Sequence, residues 1–212
     1  LAAVSEMRER IRIVSAERIR NEFDKLMVGD HVEVALMGLV TSGLAEEFLP
    51  EIPALAVEQD PVHRHKDVLA HTIAVVGKTR PDLRLRLAAL FHDIGKPATR
   101  EFTQGGVTFH HHEVVGARMT RRRMRELRYP KDVTDDVSEL VFLHMRPHTY
   151  KMGWTDSAVR RYVRDAGPLL DDLNELVRCD VTTRNSRRAK AISNRIDELE
   201  ERCVAFLEVA GP

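Results

Sequence analysis

Several features that would identify common protein classes are scarce in this 212-residue chain. The only two cysteines, Cys179 and Cys203, have no CxxC spacing, which excludes a disulfide framework and indicates a reducing compartment such as the cytoplasm. The longest run without a charged residue, 34–45, is too short to span a bilayer, and no signal-peptide pattern occurs, so no membrane association is expected. Aromatic residues make up 5% of the chain and are scattered, so a base-stacking surface is not indicated.

Net charge is also lacking, because 33 basic residues balance 33 acidic ones. Attraction to nucleic acid would therefore have to come from local patches rather than from the field of the whole molecule. Basic residues do cluster, in three groups: Arg8, Arg10, Arg12, Arg18 and Arg20; Arg118, Arg121, Arg122, Arg123, Arg125 and Arg128; and Arg184, Arg187, Arg188 and Lys190. Such runs are more often solvated faces, but segregated charge on a neutral protein also suits a surface that follows phosphates. Recognition of the backbone or shape of a folded RNA is then the better hypothesis.

Apolar residues recur at helical spacing along most of the chain, which predicts an all-α fold. The exception is residues 99–110, where alternation around two glycines predicts a small β-hairpin or an extended loop. Residues 50–61 contain three prolines and are the best candidate linker. The expected helix starts include Ser15, His65, Pro81 or Asp82, and Thr155 or Asp156.

Histidines and aspartates lie on or beside several of the apolar segments. The candidates for metal binding are His71, His92, Asp93, His112, His144 and Asp180. Imidazole nitrogens and carboxylate oxygens drawn from several helices are the ligands that a divalent metal needs. A lone histidine on an apolar face is more often a core residue, so the hypothesis depends on the whole set. The histidines not expected to be ligands are His31, His63, His65, His110 and His148, with His111 a competitor of His112 if the helix start shifts.

The order of these residues resembles a known family. His71, the pair His92–Asp93 and Asp180 follow the H…HD…D order of the HD-domain phosphohydrolases. The IGKP sequence after the pair and FHHHEVVGA at residues 109–117 are also similar to segments of that family.

This resemblance implies a divalent metal, whether nickel, manganese, magnesium, iron or zinc, and a role for each candidate residue. The implied ligands are His71, His92, Asp93 and Asp180, and the implied catalytic residues are His92, Asp93 and Lys96. His112 and His144 fall where related enzymes place a second metal or a phosphate-binding pair, although a merely buried histidine is an equal alternative for each. Lys96 and Arg146 are the expected phosphate-binding cations.

The N-terminal part carries a second resemblance. IVSAERIRNEFDKLM, followed by another helix and SGLAEEFLPEI, is similar to the RNA-binding neck of bacterial CCA-adding tRNA nucleotidyltransferases and poly(A) polymerases. In part of that family an HD domain follows the neck, as it does here, and the resemblance covers roughly residues 8–182. The family's nucleotidyl-transferring head is not found, since the sequence contains no D-x-D pair. Because the chain opens with Leu1, we expect it to be a piece of a longer protein.

The two resemblances together imply a neck segment at 1–55, an HD segment at 62–182 and a C-terminal helix at 183–212. They imply tRNA 3′-end processing with tRNA or an RNA 3′ end as the partner, and metal-dependent hydrolysis of a nucleotide 2′,3′-cyclic phosphate or phosphomonoester. The expected RNA-binding residues are Arg18, Arg20, Arg118, Arg121, Arg122 and Arg125. Two alternatives stay open: a free-standing HD phosphohydrolase acting on small nucleotides, and an RNA-binding scaffold with an inactive metal site.

Overall fold

The fold is helical, and the computed structural model describes residues 2–57, 67–104, 106–181, 183 and 185–210. The α-helices are α1 (Ala2–Met7), α2 (Ala16–Val28), α3 (Val32–Thr41), α4 (Leu44–Phe48), α5 (Val68–Lys78), α6 (Leu83–Phe91), α7 (His112–Glu126), α8 (Lys131–Leu143), α9 (Asp156–Ala166), α10 (Leu170–Asp180) and α11 (Ser186–Ala210). Short 3₁₀ turns lie at Arg8–Ile13, Pro53–Leu55, Pro97–Thr99, Arg146–Met152 and Gly167–Leu169. Among the described residues, no helix is long and apolar enough to cross a membrane.

The small hairpin predicted near residues 99–110 is present. Strands β1 (Glu101–Thr103) and β2 (Gly106–Thr108) pair antiparallel, with Phe102 opposite Val107. No other strand occurs in the part of the chain that the structure describes. The all-α prediction with at most one small hairpin is therefore confirmed.

Side-chain caps begin several helices where the sequence predicts them. Ser15, Asp82 and Thr155 each accept a hydrogen bond from the backbone N–H three residues later, as residues at this position do. Asp67 does the same for α5. The predicted start of that helix at His65 lies outside the described residues.

Helix α6 is the centre of the molecule. Every residue from Leu85 to Phe91 is buried, and the helix packs against α2, α5, α8 and α10. A helix that is apolar on nearly all sides must be surrounded by others, because no face can be left to water. The His92–Asp93 pair follows its last residue, so the end of this central helix fixes the position of the pair.

The proline-rich stretch proposed as a linker packs into the core over its described part. Ile52 is 1% exposed and Leu55 is fully buried. Residues 58–61 of that stretch lie outside the described residues. Buried side chains from the neck segment and the HD segment form one continuous core, so residues 50–57 do not act as a loose tether.

Polar contacts also join the neck and HD segments. Arg86, on the central helix, donates through Nη1 to the backbone oxygens of Met27 (2.7 Å) and Gly29 (2.9 Å) at the carboxyl end of α2. A cation suits that position because carbonyls at a helix end are unsatisfied and carry partial negative charge. Tyr129 donates to Asp24 Oδ1 at 2.5 Å. The two segments are therefore joined by directional contacts as well as by apolar packing.

Candidate metal centre

The six candidate metal ligands lie mostly at helix ends that meet in one place. His71 lies within α5, His92 and Asp93 directly follow α6, His112 is the first residue of α7, His144 directly follows α8, and Asp180 is the last residue of α10. Each of the last five thus holds its side chain at the terminus of a packed helix, where the backbone is fixed on one side and the side chain is directed into the space between helices.

Three of the imidazoles are held in one orientation by the backbone. Nδ1 of His92 lies 2.7 Å from the carbonyl oxygen of Ala89, and His112 and His144 make the same contact with the residue three positions earlier, at 2.9 and 2.6 Å. A carbonyl oxygen only accepts, so Nδ1 must carry the proton. Each Nε2 then presents a lone pair, which is the form of histidine that binds a metal.

The first group of donor atoms comes from His71, His92 and Asp180, whose ligand atoms all lie within 4.8 Å of one another. His71 Nε2 is 2.9 Å from Asp180 Oδ1 and 3.3 Å from His92 Nε2. Two imidazole nitrogens and a carboxylate oxygen therefore share one small space.

The second group comes from Asp93, His112 and His144, again within 4.8 Å. Asp93 links the two groups, because its Oδ1 lies 3.4 Å from His112 Nε2 while its Oδ2 lies 3.2 Å from His92 Nε2. The sequence predicts one set containing His71, His92, Asp93 and Asp180. The structure brings all four together, because Asp93 Oδ2 also lies 3.6 Å from His71 Nε2 and Asp180 Oδ1 lies 3.6 Å from His92 Nε2. His112 and His144 form the second group with Asp93.

Unpaired donor atoms test whether these residues fit a metal. Nε2 of His112 and Nε2 of His144 are buried and have no hydrogen-bond partner among the described residues. Leaving a buried polar atom without a partner costs roughly 1–3 kcal/mol, so such atoms call for an explanation. A divalent cation would satisfy both lone pairs and offset the two neighbouring carboxylates. The residues therefore fit a divalent metal.

Charge in the cluster follows from burial and close neighbours. Burial opposes ionisation of Asp93, but the attraction of His92 and Lys96 holds its pKa well below the usual range. Burial and the nearby His92 lower the pKa of His144 to about 3, and burial lowers the pKa of His112. Burial lowers the pKa of His92, but the attraction of Asp93 and Asp180 raises it above its usual value, so a metal would displace a proton from His92. His112 and His144 are already neutral, as metal binding requires.

His148 belongs to the cluster, contrary to the expectation that it has no role. Its Nε2 lies 3.2 Å from Asp180 Oδ2, the oxygen that does not face His71. Burial raises the pKa of Asp180, but hydrogen bonds from His148 and His71 hold it well below the usual range. The sequence gives no local signal for this contact, because α8 ends at Leu143 and His148 lies on the following 3₁₀ turn.

The two predicted phosphate-binding cations lie in different places. Lys96 Nζ is 2.7 Å from Asp93 Oδ2, and both residues line a cavity of about 580 Å³ together with Phe109, His112, His144 and Asp180. Arg146 instead pairs with Asp165 at 2.5 Å and lines a separate cleft beside Trp154. The structure thus brings Lys96 to the centre but not Arg146.

Comparison with known proteins identifies the family. The sequence profile described as "HD domain" matches residues 68–203, more than half of the chain. The chain belongs to the HD-domain family. In front of the HD domain, the profile described as "Probable RNA and SrmB- binding site of polymerase A" matches residues 1–55.

The chain is also similar to longer proteins, each over part of that protein's length. The chain is 34% identical over 193 residues to the CC-adding tRNA nucleotidyltransferase of Thermus thermophilus, covering 86% of this chain and 43% of that protein. It is 33% identical over 172 residues to the A-adding tRNA nucleotidyltransferase of Deinococcus radiodurans, covering 77% of this chain and 38% of that protein. The match to the multifunctional CCA protein of Pasteurella multocida is 30% over 134 residues, covering 58% of this chain and 31% of that protein. This chain therefore spans less than half the length of these relatives.

Close backbone packing explains why glycine occupies two positions of the HD-domain motifs. A Cβ on Gly95, in the IGKP sequence, would lie 2.1 Å from the backbone oxygen of His112 and 2.7 Å from the nitrogen of Gly116. A Cβ on Gly116, in the HHEVVGA sequence, would lie 3.4 Å from the nitrogen of Gly95. The turn after the HD pair therefore contacts the first turn of α7 backbone to backbone, which places His112 beside Asp93.

The arginine surfaces predicted to bind RNA are partly engaged in internal contacts. Arg20 donates to the backbone oxygen of Arg128 and stacks over the ring of Tyr129, so α2 and the end of α7 adjoin. Arg121 lies 3.5 Å from Asp135 and Arg122 lies 3.7 Å from Glu51, and both remain well exposed. Arg118, Arg125 and Arg18 belong to the same two helices, α7 and α2. Arg20 thus joins the neck to the end of α7, and the other predicted arginines of the HD domain lie further along that helix.

Proposed function

We propose that this chain is the RNA-binding neck and HD part of a tRNA 3′-end-processing nucleotidyltransferase, and that its HD centre binds a divalent metal and hydrolyses phosphoesters. The proposed substrates are a nucleotide 2′,3′-cyclic phosphate or phosphomonoester. The first half of the proposal is supported by the two sequence profiles and by relatives that modify tRNA. The second half is supported by the geometry of the centre.

One observation carries the hydrolase proposal. Buried imidazoles whose Nδ1 atoms contact backbone carbonyls direct their Nε2 atoms towards two ionised carboxylates. Among the described residues, the buried Nε2 atoms of His112 and His144 have no hydrogen-bond partner. A structural core has no use for such an arrangement, because it concentrates buried polar atoms that satisfy each other poorly. Two imidazoles for each carboxylate favour a transition metal such as manganese, iron, nickel or zinc over magnesium, which prefers oxygen ligands.

The proposed roles follow from position. His71, His92 and Asp180 would hold one ion, and Asp93, His112 and His144 would hold another or complete the same site. A divalent ion there would acidify water and offset the charge that develops on the phosphoryl oxygens.

Orienting the water and attracting the substrate are roles proposed for protein groups that line the cavity at the metal centre. Asp93 is ionised and would orient the attacking water, since its two oxygens face both groups of donors. Lys96 presents an ammonium where an anionic phosphate would enter, and the ring of Phe109 below it excludes water on that side. Attack, charge neutralisation and substrate attraction are thus assigned to separate groups.

The RNA proposal rests on the junction between α2 and α7. Cations held at one side of a neutral protein attract phosphates over a short range and fix the side on which an RNA lies. Such binding is electrostatic and should fall steeply with salt.

The hydrolase test compares substrates, metals and variants. Metal-reconstituted protein is given 2′,3′-cyclic AMP and glycerol 2-phosphate with manganese, nickel or magnesium, alongside His92→Ala, Asp93→Ala and the exposed control His31→Ala. We expect turnover in the wild type and His31→Ala, and at least a 100-fold loss in the two site variants. Equal turnover in all four would indicate a contaminant. Tight metal binding without turnover of any substrate would favour the scaffold alternative instead.

A further inference from the structure

A second cavity lies behind the metal centre and shares a wall with it. It encloses about 580 Å³ between the 3₁₀ turn Arg146–Met152, the end of α10 and the first half of α11. Asp180 and His148 line both this α10–α11 cavity and the cavity at the centre. A molecule held at the centre could therefore extend past this hydrogen-bonded pair into the second space.

The floor of the α10–α11 cavity is apolar. Val177, Ile196 and Leu199 are buried side chains that line it, and the largely buried ring of Tyr150 forms part of its wall. An apolar space with a few polar groups at its edge is typical of sites for small organic ligands, and such sites usually measure about 300–1,000 Å³.

The rim of the cavity is cationic. Lys151, Arg188 and Arg195 line it, all three are exposed, and none of them pairs with a carboxylate in the described part of the chain. By contrast, Arg178 on α10 and Arg202 on α11 both pair with acidic residues. Unpaired cations around an apolar floor attract a ligand that is anionic at one end and flat and weakly polar at the other.

We infer that the α10–α11 cavity binds the nucleoside part of a nucleotide whose phosphoester lies at the HD centre. The inference deepens the proposed function and rests on it for the position of the phosphoester. The base would pack on the floor formed by α10 and α11, and the rim cations would lie beside the ribose and the edge of the base, away from the phosphoester. A metal and its ligands contact the phosphoester, so the α10–α11 cavity would contribute the selectivity for a nucleoside.

The test fills the cavity without touching the metal ligands. Ala191 lines the cavity from the exposed side of α11, so Ala191→Trp would occupy it, and Arg195→Glu would reverse part of the rim charge. Ala205→Trp is the matched control, because Ala205 is exposed on the same helix and lines a different cleft. Binding of 2′-AMP and of inorganic phosphate to the manganese-reconstituted protein is measured by titration calorimetry for each variant.

We expect both cavity variants to weaken 2′-AMP binding at least tenfold and to leave phosphate binding within about twofold, with Ala205→Trp like the wild type. Equal 2′-AMP affinity in the wild type and both cavity variants would overturn the inference, as would 2′-AMP binding no tighter than phosphate. Because the measurement is binding, it separates the two proposals: selective 2′-AMP binding without turnover would reject the hydrolase and keep the cavity. Turnover of glycerol 2-phosphate, with 2′-AMP bound no more tightly than phosphate, would keep the hydrolase proposal and reject the cavity inference.

Discussion

Replacing Arg123 by methionine should destabilise the whole chain, because this residue joins the HD domain to the neck segment. Its guanidinium makes three hydrogen bonds of 2.9 to 3.1 Å to the carboxylate of Glu51 and one of 3.2 Å to the backbone oxygen of Phe48. Both charged side chains are largely buried, at 13% and 5% exposure. Removing one partner of such a pair leaves the other charge in the interior without compensation.

The expected size follows from that burial. Breaking a buried ion pair costs roughly 3–5 kcal/mol. Arg122 lies 3.7 Å from the same carboxylate and remains after the substitution, so the lower end, about 3 kcal/mol, is expected. For a chain of this length that corresponds to a fall in melting temperature of about 6–12 °C.

Urea unfolding followed by circular dichroism measures the effect, with Arg122→Met as the control. The Arg122 side chain is 66% exposed, so its loss should cost only about 0–1 kcal/mol. The double variant Glu51→Gln/Arg123→Met should recover part of the loss, because no unpaired charge is left. Equal effects of the two single substitutions would refute the reasoning. Separate unfolding transitions for neck and HD domain in the wild type would refute the shared core.

Three further outcomes follow from the structure. Gly95→Ala should lower stability by about 1–3 kcal/mol in thermal unfolding and weaken metal binding, because its Cβ would collide with the backbone of α7. In the control Gly38→Ala the Cβ meets nothing within 4 Å, so this change should be neutral or stabilising. Folding lowers the pKa of His144 from 6.5 to about 3, so between these values the unfolded chain binds a proton that the folded chain does not. Between pH 7.5 and pH 5 the free energy of unfolding of the metal-free wild type should therefore fall by about 2 kcal/mol more than that of His144→Gln. Equal falls in the two proteins would contradict the assignment. Replacing three α7 arginines by alanine should weaken tRNA binding and flatten its salt dependence in filter-binding assays. The same change in three exposed arginines of α9 should have little effect. These residues are Arg121, Arg122 and Arg125 on α7, and Arg160, Arg161 and Arg164 on α9. Binding by the wild type that does not depend on salt would contradict the RNA proposal.

Local features of the fold could be predicted because their causes lie close together in the chain. Ser15, Asp82 and Thr155 cap helices through bonds to residues three positions away. The hairpin near residue 105 likewise depends on alternation and glycine within ten residues. The same holds for the position of the HD pair, since an apolar run ending in His92 predicts a buried helix that ends there.

Features that depend on distant contacts could not be predicted in the same way. Whether Arg146 faces a phosphate or a carboxylate depends on Asp165, which another helix brings beside it. The contact of His148 with Asp180 similarly requires the 3₁₀ turn to pack on the end of α10. Residues 50–57 have the composition of a linker, yet Ile52 and Leu55 are buried because the neck and HD segments share a core. Composition describes the local chain and does not report what packs on it.

The central claim, that the HD centre holds a divalent metal, is tested most directly by metal content. Protein is stripped with chelator, reconstituted with manganese, nickel or zinc, dialysed and analysed by plasma mass spectrometry. We expect at least one ion per chain in the wild type and in His31→Ala, and less than a tenth of that in Asp93→Ala, because Asp93 faces both donor groups. A wild type that retains no metal, or an Asp93→Ala variant that retains as much as the wild type, would contradict the account.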